Sequence, residues 1–239
     1  MSGGRSIFIG YFFSFGMKRE DIKQRIKALA ERYRNELAIK LSSRNEEMES
    51  DDNGHYLIYQ VLGISDKEGK LIDVYQNRGR FLYKYAGSFL EEASILCFEE
   101  KYPKAKRKLK IKNTLGSRPS TFEIDCLVGK MAFEIKWKDA TTDGDHITKE
   151  HTRIKVIKKK GYTPIRIMFY YPNRDQAKRI QDTIKTLYEG LKGHYYSGDK
   201  AWEYLKKHTD IDLKEILEEI AKENTKNQSS DKILETSSS

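Results

Sequence analysis

An α/β fold, α+β by count of elements, with a mixed central sheet flanked by helices, is predicted from three features of the chain. Residues 122–128 and 131–137 are runs of β-branched and aromatic types joined by Gly129-Lys130, which suits a two-residue hairpin with glycine at its first central position. Residues 163–171 (TPIRIMFYY) are a further strand-like run. A helical stretch at about 148–160, stopped by Gly161, stands between, so strand, crossover helix and returning parallel strand make a right-handed βαβ unit. Third, apolar stripes at helical spacing flank this centre on both sides in sequence.

Taken in order, residues 6–15 (SIFIGYFFSF) are apolar but only about ten long, against roughly twenty for a bilayer span, and no small-x-small cleavage site follows. No membrane association is expected. Residues 1–16 read as an extension, and Met17, which opens an amphipathic helix, is a second candidate start. Ile22, Ile26, Leu29, Tyr33, Leu37 and Leu41 stripe a helix over 18–41, with Glu20 and Asp21 in its first turn, where the helix dipole favours acids. Residues 44–54 are polar and read as a loop. Residues 55–62 and 71–75 look like short strands around a turn at 66–69. Leu82, Tyr85, Phe89, Ala93 and Leu96 stripe a helix over 81–100. After the βαβ unit, Ala177, Ile180, Ile184, Leu187 and Leu191 stripe a helix over 174–191. Two shorter helices follow near 201–208 and 213–223. Residues 17–223 are expected to form a single domain with its core at about 80–192, and 224–239 a disordered polar tail.

In the hairpin register, Val128 opposes Met131, Cys126 opposes Phe133 and Asp125 opposes Glu134. Asp125, Glu134 and Lys136 then share a face, while Met131, Phe133, Ile135 and Trp137 form the core-facing side, which leaves the acidic face exposed or lining a cleft. Like charges directly opposed are destabilising, and a divalent cation reverses that sign. Mg²⁺ is commonly held by one or two carboxylates plus phosphate oxygens, which matches Asp125 and Glu134, with Lys136 a point charge beside them.

Lys and Arg number 45 against 36 acids, a net charge of +9, so the chain should be drawn to a polyanion, with nucleic acid the natural candidate. Lys108, Lys110 and Lys112 alternate with Leu109 and Ile111, which fits either a cationic strand face or an edge strand protected by lysines. Arg78 and Arg80 lie among aromatics in YQNRGRFLYKY, a mixture suited to nucleic-acid contact. The 2 cysteines, Cys97 and Cys126, form no disulfide framework or metal spacing and fit a reducing cytoplasm as core thiols.

A carboxylate followed on the next strand by Glu-x-Lys, here Asp125 then Glu134-Ile135-Lys136, resembles the PD-(D/E)xK nuclease superfamily. The strings YKYAGSFLEEA, TFEIDCLVG, EIKW and DATTDGDHITKEHTR are similar to type II restriction endonucleases of the ApaLI type, over residues 55–205. That resemblance implies a restriction-endonuclease-like core with N- and C-terminal helical additions, Mg²⁺ bound by Asp125, Glu134 and the main-chain carbonyl of Ile135, and Lys136 as a catalytic residue. It also implies a homodimer cutting double-stranded DNA at a short palindrome, GTGCAC in that family, to 5′-phosphate and 3′-hydroxyl ends. A first-helix acid often joins such a site. Glu92, at the border of its helix's apolar stripe, suits this better than Glu91 opposite it.

The loop after the hairpin has two readings. Asp139, Asp143, Gly144, Asp145 and Glu150 are spaced as in an EF-hand. Thr141 at the third place, His146 at the eighth and an entering strand instead of a helix argue against calcium. In the nuclease reading, Asp145, His146, Lys149, His151 and Arg153 are candidates for DNA contact. A repair nuclease or junction resolvase, or a non-catalytic DNA-binding or calcium-responsive module, are the alternatives in function.

Overall fold

A computed structural model describes the backbone of residues 6–138 and 145–236 and the side chains of 19–138 and 146–225. In chain order its elements are α1 (Ser6–Glu49), α2 (Tyr56–Val61), α3 (Asp66–Lys101), β1 (Lys106–Lys112), β2 (Thr121–Val128), β3 (Met131–Lys138), α4 (Asp145–Lys159), β4 (Thr163–Tyr170), α5 (Asp175–Gly190), β5 (His194–Ser197), α6 (Asp199–Thr209) and α7 (Leu213–Thr236). The helices and one mixed sheet give the expected α+β class with a restriction-endonuclease-like core. Two compact units are present: one holds the chain up to Lys27 and from Leu90 onward, the other is Ala28–Phe89.

The first unit is built on a sheet of order β1-β2-β3-β4-β5. Its first two pairings are antiparallel and its last two parallel. In the β2–β3 hairpin Val128 pairs with Met131, Leu127 with Ala132 and Cys126 with Phe133, the register that alternation predicts. Gly129 takes φ +57°, a value open to glycine, and Lys130 does not share it, which is the pattern of a turn whose twist suits a hairpin. Gly161, at φ +81°, closes α4 by the same freedom and turns the chain into β4, which runs parallel to β3 from Met131/Thr163 to Lys138/Tyr170.

Packing follows the strand alternation in β3 and β4, while in β2 Ile124 and Leu127, three residues apart, join one cluster. On one face Ile154 of α4 and Ile180, Ile184 and Tyr188 of α5 bury Met168 and Tyr195. Val156 and Ile157 of α4 pack with Leu127, Ala132 and Ile124. The neighbour of Met168, Phe169, points the other way and meets Trp202 of α6 at 4.2 Å between centroids. Phe133 stacks on Phe98 of α3 at 4.3 Å. At the periphery of this unit, Arg19, Lys23 and Lys27 of α1 pair with Glu219 and Glu223 of α7 at 2.6–2.9 Å. The spacing of four on both helices repeats the contact at each turn.

Three expectations need correcting. Residues 55–62 and 71–75 are helical, in α2 and α3. The signal was Ser65-x-x-Glu68: Ser65 Oγ accepts from the Glu68 N–H at 3.3 Å and Glu68 Oε2 accepts from the Ser65 N–H at 3.1 Å, a capping box that starts α3 where a turn was expected. The loop expected from residue 44 begins only after Glu49, because pairs such as Arg44–Glu47 at 2.7 Å support a polar last turn. The acidic face is neither exposed nor an open cleft: Asp125 and Glu134 are 5% and 3% exposed, since α4 covers them. β5 was not anticipated; at four residues it is too short for a periodicity to register. The polar segment from 224 has its backbone in the last turns of α7, and its side chains beyond 225 lie outside the described ones.

Phe98 and Phe133 are 0% and 1% exposed, and their stack ties α3 to the strand that carries Glu134. Phe133→Ala should cost about 3–5 kcal/mol through lost burial and the cavity left behind. Urea denaturation of the purified protein measures it, and a loss below ~1 kcal/mol would show that this contact does not hold the helix on the sheet.

Candidate active site

The backbone pairing of β2 with β3 runs from the turn to Cys126 and Phe133. One step farther, Asp125 Oδ2 accepts the Ile135 N–H at 2.7 Å, so a side-chain carboxylate serves a main-chain donor of β3 just beyond those pairs. This single bond fixes Asp125 beside Glu134. Lys136, two residues along β3, brings Nζ to 2.7 Å from Glu134 Oε1 and 3.9 Å from Asp125 Oδ2. The three side chains predicted to converge do so.

Arg153 of α4 adds a cation that pairs with Glu134 Oε1. It also lies 3.4 Å from Glu150 Oε2 and donates to the Glu123 carbonyl at 3.2 Å. Glu150 is held from behind, at Oε1, by the Tyr188 hydroxyl at 2.7 Å and by Arg166 at 3.3 Å. Arg166 stands on β4 directly beside Glu134 and is fully buried. Asp125, Glu134 and Glu150 thus face Lys136, Arg153 and Arg166, three acids against three cations. Charges out of water persist only when so paired.

The two carboxylates at the centre titrate apart. Burial, then the neighbouring Glu134, pushes the Asp125 carboxyl up to about 8, against the pull of Lys136 and the Ile135 N–H. Burial acts on Glu134 in the same direction, but Lys136, Arg153 and Arg166 together outweigh it and hold that carboxyl at about 2. One side chain is therefore a proton store and the other a permanent anion near neutrality. Burial works against the charge of Lys136, and Glu134 and Asp125 overcome it, raising its ammonium above the ordinary lysine range.

Among the described residues no three His, Cys, Asp or Glu side chains converge as a metal cage. Two carboxylates suit a hard cation that keeps waters and takes phosphate oxygens. Glu134 Oε1, although inside ion-pair reach of two cations, makes no hydrogen bond of good angle, which is the kind of buried oxygen a cation would satisfy. The carboxylates present fit a divalent cation.

The family model for ApaLI-like restriction endonucleases matches residues 17–222. The chain belongs to that family. No curated protein and no solved structure matches it. The ApaLI-like family consists of type II restriction endonucleases, site-specific nucleases whose substrate is DNA, and that coarse function holds for this chain. No described helix is long and apolar enough to cross a membrane.

The remaining sequence-derived positions are distributed as follows. The α3 acid whose charge acts on Asp125 is Glu91, itself paired with Lys108. Glu92, one position on, acts on Arg107. His146 and His151 are half-buried on α4 and Lys149 is exposed. Asp145 opens α4, with its side chain outside the described ones, as are residues 139–144 of the EF-hand-like loop. Arg78 and Arg80 lie on α3 within the second unit, Arg80 with its guanidinium 5.2 Å from the Phe81 ring centre. Glu150, Arg166 and Tyr188 were missed. An arginine inside the apolar run TPIRIMFY was a usable signal, since a buried cation demands an acid.

The titration of Asp125 has a measurable consequence for the metal-free protein. Its folded carboxyl binds a proton more tightly than the unfolded one, so its contribution to stability is present in full below about pH 4. That contribution is lost as pH rises toward about 8. Asp125→Asn keeps an acceptor for Ile135 and removes the titration. The mutant's melting temperature in EDTA should match wild type near pH 4 and exceed it increasingly toward pH 8; thermal melts across that range decide it, and a constant offset would contradict the assignment.

Proposed function

We propose that this chain is a Mg²⁺-dependent type II restriction endonuclease that cuts double-stranded DNA at a short palindrome, GTGCAC as in the ApaLI type, leaving 5′-phosphate and 3′-hydroxyl ends. The observation that carries this reading is the convergence of Asp125, Glu134 and Lys136 one step beyond the paired part of the hairpin. Asp125, Glu134 and the Ile135 carbonyl would hold the ion, which when bound supplies a water acidic enough to attack and charge neutralisation on the scissile phosphate. Lys136 holds that water in line or balances charge developing on the phosphate. Glu92 is the auxiliary acid of this assignment, with Glu91 beside it on α3. The burial of Asp125 and Glu134 strengthens these interactions by excluding water.

Of the basic groups, Lys149, His146 and His151 on α4, with Asp145 at its start, are the assigned DNA contacts near the acidic cluster, and Arg78 and Arg80 those of the second unit. Arg153 is different, because its guanidinium is already engaged. The net charge of +9 supports attraction to the duplex in a salt-dependent way. Lys110 and Lys112 on the edge strand β1 are exposed, consistent with both cationic contact and edge protection.

Cutting both strands of a palindrome calls for two such clusters related by a two-fold axis, hence a homodimer. The second unit offers surface for it. Leu57, Ile58, Val61 and Leu62 on and after α2 are 59–74% exposed, and Leu71, Ile72, Tyr75 and Leu82 on α3 are 46–65% exposed, more apolar side chains than a soluble monomer ordinarily shows to water. Along α3 the acid Glu68 precedes this stripe, and Arg78 and Arg80 stand between Tyr75 and Leu82. A second copy laid antiparallel sets acid against base, and Gly79, with nothing within 4 Å of a Cβ position, lets the backbones approach.

Two expected outcomes follow. Asp125→Ala and Glu134→Ala should each reduce plasmid linearisation in Mg²⁺ by at least about 10³-fold, the scale on which loss of a key electrostatic group acts, while electrophoretic shifts show DNA binding retained; wild-type cutting in either variant removes the site assignment. Val61→Glu with Tyr75→Glu should convert a dimer to a monomer in sedimentation. Sequencing the digested ends tests GTGCAC directly.

A further inference from the structure

Arg153 occupies a position that the cleavage chemistry above leaves without a task. Its guanidinium pairs with Glu134 Oε1, the same oxygen that Lys136 approaches at 2.7 Å and that makes no hydrogen bond of good angle. Two cations share one acceptor. On its other side Arg153 is anchored three times over: by Glu150 Oε2 at 3.4 Å, by the Glu123 carbonyl at 3.2 Å and by the face of Phe122, 5.9 Å from the ring centre. Glu150 cannot follow it, because Tyr188 and Arg166 hold its other oxygen. Removing Glu134 as a partner would therefore leave Arg153 in place with donors to spare.

We propose that Arg153 is a positioning residue that holds Glu134 in the metal-free protein through the oxygen a divalent cation must take. Loading is an exchange: the cation displaces the guanidinium from Oε1, and Arg153, still anchored on Glu150 and the Glu123 carbonyl, turns the freed N–H groups to an anionic oxygen of the DNA backbone. A guanidinium is suited to this, since it keeps its charge and offers several donors in a fixed fork. The charge balance agrees. The cluster holds three cations and at most three anions, so an arriving dication adds uncompensated positive charge until a phosphate enters, and metal loading and DNA loading favour one another.

The proposal rests on Glu134 being a metal ligand, and the experiment separates the two. The probe is Ca²⁺ titrated calorimetrically into the full chain without DNA, for wild type, Arg153→Lys, Arg153→Gln, the Glu150→Gln/Arg153→Met double variant and Glu134→Gln, each checked for folding by its melting curve. The double variant removes opposite charges together and keeps the comparison alive where a single change unfolds the protein. Expected are Ca²⁺ binding about tenfold tighter in Arg153→Gln and in the double variant, a fold-change within the usual range of coupling between sites, and near wild-type affinity in Arg153→Lys. Arg153→Gln should also bind duplex more weakly in Ca²⁺ than in wild type, which a purely structural arginine would not produce alongside tighter metal binding. A folded Arg153→Gln variant or double variant that binds Ca²⁺ no tighter than wild type overturns the exchange. Unchanged Ca²⁺ affinity in Glu134→Gln instead removes Glu134 as a ligand, a failure of the underlying reading.

Discussion

The carboxylate of Asp125 accepting the Ile135 N–H is the interaction on which the centre of the molecule turns. A strand donor inside a protein must find a partner, and here the partner is a side chain just beyond the paired residues. The cost of burying that carboxylate appears as its elevated affinity for a proton. What results is a paired stretch of hairpin rigid enough to fix register, followed at once by acidic groups concentrated in one place.

Around this point the protein keeps charges in its interior in matched numbers. Such pairs contribute little net stability, yet losing one member costs about 3–5 kcal/mol because its partner is stranded. The arrangement Tyr188–Glu150–Arg166 has no access to DNA through its buried atoms, and its physical effect is to make Arg153, and through it Glu134, adopt one geometry. Helices α4 and α5 supply the covering layer, so the crossover that makes the parallel sheet possible also dries the acidic centre.

Much of this was legible before any coordinates. The hairpin, its register, the crossover helix and β4 all follow from strong local signals: alternation, a glycine turn and a 3.6-residue stripe. The convergence of Asp125, Glu134 and Lys136 followed from register alone. What escaped was of two kinds. Ser65 and Glu68 form a cap whose two hydrogen bonds were readable, but a short apolar run after them was taken for strand, as its length permits either. Burial of the acidic face and the part played by Glu150 depend on which helix lies over which strand. No single-chain periodicity carries that, although Arg166 in an apolar run pointed to a hidden acid.

The two-residue connection at Gly129-Lys130 carries a final implication. With so short a bend, the count of positions between Asp125 and Glu134 is locked to the pleat. Adding or losing one residue there would rotate the remainder of β3 by half a period, sending Glu134 and Lys136 among the aromatic packing of Phe98 and bringing Phe133 and Ile135 to the ionic side. Spacing at this point is thus a matter of geometry: this bend admits exchange of side chains but no change in length.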